Sequence, residues 1–474
     1  ASRAYCVPGD TATCNPPVAE WKFEEGTGTT ADDTSGNGNT GTLTGGPSWT
    51  QGRVGKALSF DGVNDWITYP AGVATGGNEI TVSGWLKVDG DGTNWARIIL
   101  GGQVNSTYTL TKVTGADDRI LWRPVGNSDN FYSTTTLSRG DWHHFAGTYD
   151  SAGGADNVKI YIDGKLDAMF TDTGVIPTNV SSGVIGGESG AHEGGGQTSS
   201  FDGQIDQVRI YNYARTPAQI AWEYNKGAPV AWYKFDECSG TTINDWAPGA
   251  DTNSFAGNTG TLNIGATGTQ TSAGTCESGT GTEAWNNGTT GHENASMSFD
   301  GTDDWVETGS VDFLGNGNDV TVAIWVKPGS SQKTYANIID HDHSTGGAGN
   351  YGNWVIQQDN TTTNSYYFAF TYDGTNFDGT SKTTQLTSST WQHLVMVKSG
   401  TSLDHYLNGV KQGSTSTVQN NITTESSPLR IGDNVNPVNN RDFNGQIDDV
   451  RIYNYALTEE QIKQVYNGGA VNFK

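Results

Sequence analysis

Carboxylates are the residues here best suited to chemistry, and their spacing argues against it. Retaining glycoside hydrolysis needs two carboxylates about 5 Å apart, and on a strand residues i, i+2 and i+4 share a face. Glu24 and Glu25, Asp303 and Asp304, and Asp448 and Asp449 are each adjacent in the chain. Strand alternation therefore predicts that the members of each pair point to opposite faces. No Gly-x-Ser-x-Gly elbow and no His-Glu-x-x-His helix is present either. The sequence predicts a protein that is not an enzyme.

Two other constellations could bind. The run Asp340-His-Asp342-His alternates carboxylate and imidazole, both good ligands for a transition metal; a solvated loop is the competing reading. Asp89-Gly-Asp-Gly-Thr-Asn94 reads as half a calcium loop without its distal Glu, hence as a polar turn. Sugar recognition needs flat aromatic faces beside polar partners. Trp95, Trp122, Tyr132, Trp354, Tyr366 and Tyr367 lie in stretches that could supply such faces; packing in a core competes with that role at each.

The elements that must position these residues come as a duplication. Asp202-Gly-Gln-Ile-Asp-Gln-Val-Arg-Ile-Tyr-Asn-Tyr-Ala214 nearly repeats as Asn444-Gly-Gln-Ile-Asp-Asp-Val-Arg-Ile-Tyr-Asn-Tyr-Ala456. Val18–Phe23 matches Val230–Phe235, Phe60–Trp66 matches Phe299–Trp305, and Ile80–Trp85 matches Val320–Trp325. So large a period means complete domains rather than a solenoid. The expected organisation is an N-terminal arm over 1–17, one domain over 18–227 and a second over 228–474. Tryptophans at duplicated positions (Trp21, Trp66, Trp85, Trp142, Trp305, Trp325, Trp391) read as core.

Glycine accounts for 65 of 474 residues, and Gly/Asn clusters between short apolar runs predict many short strands. Val158–Gly164 and Leu403–Gly409 end in Asp-Gly and Asn-Gly hairpin signals. Each copy closes on one short helix, entered at Thr216-Pro-Ala-Gln219 or Thr458-Glu-Glu-Gln461. The fold class is all-β: two tandem antiparallel sandwiches, each with a minor C-terminal helix. Cys6 and Cys14, and Cys238 and Cys276, fall into local pairs, predicting disulfides and an extracellular or cell-surface location. A net charge of −25 opposes nucleic acid as a partner, and no run of apolar residues is long enough for membrane insertion.

In order, Trp21-Lys-Phe-Glu-Glu-Gly-Thr-Gly28, Phe60-Asp-Gly-Val-Asn-Asp-Trp66, Trp142-His-His144, Tyr161-Ile-Asp-Gly164 and Gly203-Gln-Ile-Asp-Gln-Val-Arg-Ile-Tyr-Asn212 resemble the laminin-G-like jelly rolls of the concanavalin A-like lectin/glucanase superfamily. The resemblance spans about residues 18–226 and 229–468. It implies curved sheets with a concave face, in modules that commonly bind or adhere outside cells. It also implies a structural calcium held by Asp206 and Asp448, with Glu24 and Asp236 completing the sets; pairing of Asp206 and Asp448 with Arg209 and Arg451 is the alternative. Asp340 and Asp342 would lie in a loop region able to reach ligand. The function expected is noncatalytic binding or adhesion, with glycans or other surface proteins as partners. The competing expectation is a structural subunit of a filament or surface layer, a homopolymer assembled through the arm. Asn-x-Ser/Thr sequons stand at Asn105, Asn179, Asn287, Asn294, Asn360 and Asn421.

Overall fold

The computed structural model describes residues 5–7, 12–74, 76–93, 95–103, 107–113, 117–126, 129–178, 181–187, 199–247, 258–311, 319–341, 354–372, 377–378, 383–420, 422, 427–435 and 441–468. Asp342, the tail from 469, and sequons Asn105, Asn179 and Asn421 lie outside the described residues. The chain divides into compact units over 1–227 and 228–474.

Each unit is two antiparallel sheets enclosing one core. In the first, both sheets have eight strands among the described residues. Glu79–Val88 lies at the centre of one, paired with Trp142–Asp150 on one side and Asp202–Tyr211 on the other. β-branched and aromatic residues fill these strands, as a pleated surface buried against a second sheet demands. The facing sheet carries Arg97–Leu100, Thr109–Lys112 and Arg119–Arg123. The second unit repeats the plan, with Val320–Pro328 between Gln392–Ser399 and Asn444–Tyr453. Its facing sheet has nine strands among the described residues.

The local signals fold as their chemistry requires. Asp163 and Gly164, at φ 50° and 74°, turn Val158–Ile162 into Lys165–Phe170; Asn408 and Gly409 do the same in the second unit. Helices Pro217–Asn225 and Glu459–Tyr466 both open on a complete capping box, from Thr216 and Thr458. A third helical turn, Ala284–Asn287, lies in the second unit's extra segment and follows no cap signal; its N-cap, Glu283, makes no side-chain capping bond.

Both disulfides form, Cys6–Cys14 and Cys238–Cys276. Trp21, Trp85 and Trp325 are buried. Trp66, Trp142, Trp305 and Trp391 depart from expectation: they are half-buried on outward positions. Arg430 lies over Trp305 and Lys327 over Trp391.

Candidate cation and ligand sites

In each unit two left-handed kinks in neighbouring strands bring a pair of carboxylates together. The final long strand bulges after Asp206, with Gln207 at φ 50°, and after Asp448, with Asp449 at φ 49°. Phe23 and Phe235, at φ 57° and 56°, turn the chain just before Glu24 and Asp236. Non-glycine residues rarely hold this conformation, yet it recurs at matched positions. Asp206 and Asp448 are completely buried, and Oδ1 of each has no hydrogen-bond partner. Burial pushes the Asp206 carboxyl up to about 7, and the nearby Glu24 adds to the rise. Burial likewise pushes Asp448 up to about 8, with Asp449 and Asp236 contributing. Arg209 and Arg451 do not neutralise them: Arg209 pairs with Glu20 and Glu223, and Arg451 with Asp449.

Each pair also grips one turn. Val54 N donates to Asp206 Oδ2 at 2.9 Å, and Lys56 N to Glu24 Oε2 at 3.0 Å. In the second unit Glu293 N donates to Asp448 Oδ2 at 2.9 Å, and Ala295 N to Asp236 Oδ1 at 3.2 Å. The turns close by Gly52 N to Gly55 O and Gly291 N to Asn294 O, both 3.0 Å. A Cβ on Gly52 would lie 2.7 Å from Asp206 Oδ2, and one on Gly291 2.9 Å from Asp448 Oδ2, so glycine is what admits the carboxylate. Beside the grip, Arg53 lies over Trp85 and His292 stacks on Trp325. These turns escaped sequence reasoning, because a Gly-x-x-Gly and a Gly-x-x-Asn share no visible motif. A buried carboxylate oxygen without a donor, next to a second carboxylate, fits a hard cation.

The expectation that Asp303 and Asp304 diverge does not hold. They precede the strand rather than lie within it, and the turn gathers their carboxylate oxygens with one from Asp300 to within 4.8 Å of one another. Backbone amides bind part of the group: Thr269 and Gln270 donate to Asp300, Thr267 to Asp303 Oδ2 and Gly265 to Asp304, while Asp303 Oδ1 accepts no hydrogen bond. The cluster pins the extra segment of the second unit to its sheet.

The aromatic platforms separate. Trp122, Trp354 and Tyr366 are core residues at 0–1 % exposure, a correction with a plain cause: each points between the sheets, where no ligand reaches. Trp122 sits under Gly147 and donates its indole N–H to Thr148 O. Tyr367 follows Tyr366 and so faces the other way, but it too is buried, beside Val355 and Ala369, and takes a hydrogen bond from Gln357. Tyr132 is half-buried with Arg119 over its ring. Asp340 is buried within the strand Asn337–His341 rather than on a ligand-reaching loop, and its Oδ2 accepts from Asn337 and the Val435 amide. Among the described residues the exposed indoles are Trp95 at 38 % and Trp246 at 50 %.

The described residues of the N-terminal arm bond to the first unit. Tyr5 Oη donates to Glu20, Arg215 donates to Tyr5 O, Gln219 to Thr13 O and Tyr213 to Asn15 O, at 2.7–3.3 Å. They close over a buried network with no counterpart among the described residues of the second unit. Burial opposes the charge on Glu223, but Arg209, His144 and Arg215 hold its carboxyl well below the usual range. The matching residue of the second helix is Val465.

Curated relatives match only in part. The protein "Sushi, von Willebrand factor type A, EGF and pentraxin domain-containing protein 1" of Rattus norvegicus is 30% identical over 169 residues, 33% of this chain. Its Mus musculus counterpart is 29% identical over the same length. The chain spans 4% of the length of either. Among solved structures, domain 4 of AbnA, a GH43 extracellular arabinanase from Geobacillus stearothermophilus bound to arabinotriose, is 26% identical. That match covers 43% of this chain and 96% of the domain, at a TM-score of 0.35. Domains LG4-5 of the mouse laminin α1 chain are 12% identical, covering 85% of this chain and 90% of theirs, at a TM-score of 0.27. A laminin-G family model described as "Concanavalin A-like lectin/glucanases superfamily" matches residues 61–221 and 300–463. With that match spanning most of both sandwiches, the chain belongs to the laminin-G-like family of the concanavalin A-like lectin/glucanases superfamily.

Proposed function

We propose that this chain is a noncatalytic extracellular binding protein whose tandem sandwiches present surfaces to glycans. One observation carries the noncatalytic half of the reading. The close carboxylates at Asp206/Glu24, Asp448/Asp236 and Asp300/Asp303/Asp304 accept backbone amides and so act as clamps on turns. An acid–base pair would instead face a substrate across an open cleft. Family membership and two closed disulfides support an extracellular setting. Among the described residues no helix is long and apolar enough to cross a membrane.

Calcium is part of the proposal. Asp206 with Glu24, and Asp448 with Asp236, would hold one ion in each domain. The ion would supply the positive charge that the buried, donorless Oδ1 atoms lack, and so fix the turn beside each core tryptophan. The arm's attachment to its own domain weighs against assembly through that arm. Isothermal titration of the full, calcium-stripped chain with calcium tests the ion. Two sites lost one at a time in Asp206→Asn and Asp448→Asn are expected; unchanged stoichiometry in both variants would refute the assignment.

A further inference from the structure

The second domain carries a surface feature that the first lacks. Alternation along Ala231–Tyr233 turns Tyr233 inward and sends Trp232 and Lys234 outward together. The next segment crosses back, with Tyr233 bridged to Asp245 and Trp246 N donating to Trp232 O at 2.7 Å. Asp245 Oδ1 locks the crossing by accepting from the Trp232 and Ala247 amides at 2.8 and 3.0 Å. Glu237 accepts from Asn244 N, and the Cys238–Cys276 bridge begins one residue later. The stretch from Trp232 to Ala247 is therefore held by its own hydrogen bonds before any ligand arrives, which lowers the ordering cost of binding.

On this frame the Lys234 ammonium sits between two indoles, 4.3 Å from the Trp232 ring and 4.7 Å from Trp246. Arg451 covers Trp232 at 4.4 Å but is already paired with Asp449. No carboxylate among the described residues lies within ion-pair distance of Lys234, in a chain with 51 acidic against 26 basic residues. Trp246 is 50 % exposed. The first domain has Glu20, Lys22 and Thr34 at the matching positions; there Glu20 takes the lysine at 3.7 Å and Thr34 at 2.6 Å, and no aromatic face is offered. The second domain has thus replaced a carboxylate by indoles, and its lysine has no ion-pair partner among the described residues.

We infer that Trp246, Lys234 and Trp232 form a binding site for a sugar bearing an anionic substituent, a carboxylate or a sulfate. The sugar's C–H face stacks on the Trp246 indole, and its anion meets the Lys234 ammonium, which the flanking rings hold in place. The strong negative charge of the whole chain repels long polyanions, so the site suits a terminal anionic sugar or a short oligosaccharide. This inference rests on the glycan-binding reading and adds to it the place and the ligand class.

Titration of the full chain, followed by tryptophan fluorescence and calorimetry, tests it with three probes: a uronic-acid oligosaccharide, a sulfated oligosaccharide and a neutral one of equal length. At least one anionic probe is expected to bind more tightly than the neutral one, and the two anionic arms tell which substituent is read. Trp246→Ala should weaken that binding roughly tenfold. Lys234→Met should erase the preference for anionic over neutral sugar. Val175→Ala, at an exposed position of the first domain with no part in any candidate site, should leave binding unchanged, and an unaltered unfolding midpoint shows that the Trp246 and Lys234 variants remain folded. Equal binding of the neutral probe, or glycan binding indifferent to Trp246→Ala, overturns this site while leaving the glycan reading intact. Failure of a broad glycan panel to bind at all overturns both.

Discussion

Glu223 shows how one residue separates two copies of a fold. It is buried with Arg209, Arg215 and His144 around it, and Ser83 donates to it at 2.5 Å. Glu223→Gln takes from the buried Arg215 its carboxylate and leaves Arg209 with Glu20 alone, at a cost of about 3 kcal/mol to the first domain at neutral pH. Because the folded carboxyl is held below its ordinary 4.5, its stabilisation is present above that value and is lost as pH falls through the depressed one. The gap between the variant and the parent should therefore close in acid, read by urea titration at several pH values. Asp448 has the opposite sign. Its folded carboxyl is raised from 3.8 to about 8, so without a divalent ion its contribution is full below 3.8 and is lost as pH rises through 8. In chelator, the second domain's melting temperature should fall over that window; Asp448→Asn should flatten the fall, and calcium should reverse it only in the parent chain. A calcium response preserved in Asp448→Asn would contradict the role given to this residue.

Strands and turns carried much of the legible signal, and the places where reading failed share a physical cause. Thr216 and Thr458 cap helices by local hydrogen bonds, and Asp163-Gly164 and Asn408-Gly409 turn by local dihedrals, so a few consecutive residues sufficed. Asp206 and Glu24 were paired by family resemblance, while the turn they hold was not legible, because Val54 lies 152 residues from Asp206. Tyr366 and Tyr367 had equal claims as platforms, since composition does not say which face of an edge-adjacent strand is covered. Trp246 belongs to no duplicated motif, and its exposure follows from what the copies do not share: Trp232 and Trp246 stand where the first domain has Glu20 and Thr34. At this scale the Cys238–Cys276 bridge has a checkable role. It spans 38 residues, and replacing both cysteines by serine should lower the second domain's stability by about 2–4 kcal/mol. The first domain's transition should stay in place in a denaturant titration; movement of both transitions would contradict the local role.

For the molecule as a whole, duplication has produced two sandwiches with their own cores and different specialisations. The first invests in a buried charge network sealed by its disulfide-looped arm; the second invests in a stapled extra segment and an open aromatic surface. Carboxylates that clamp turns, and indoles that face solvent, suit a module that holds rather than cleaves. The most direct test is a glycan array probed with the intact chain, in calcium and in chelator, with the captured glycans then weighed by mass spectrometry. Retention of a defined glycan class, with every captured glycan intact, is the predicted result. No retained class under either condition, or shortened glycans released from the array, would contradict it.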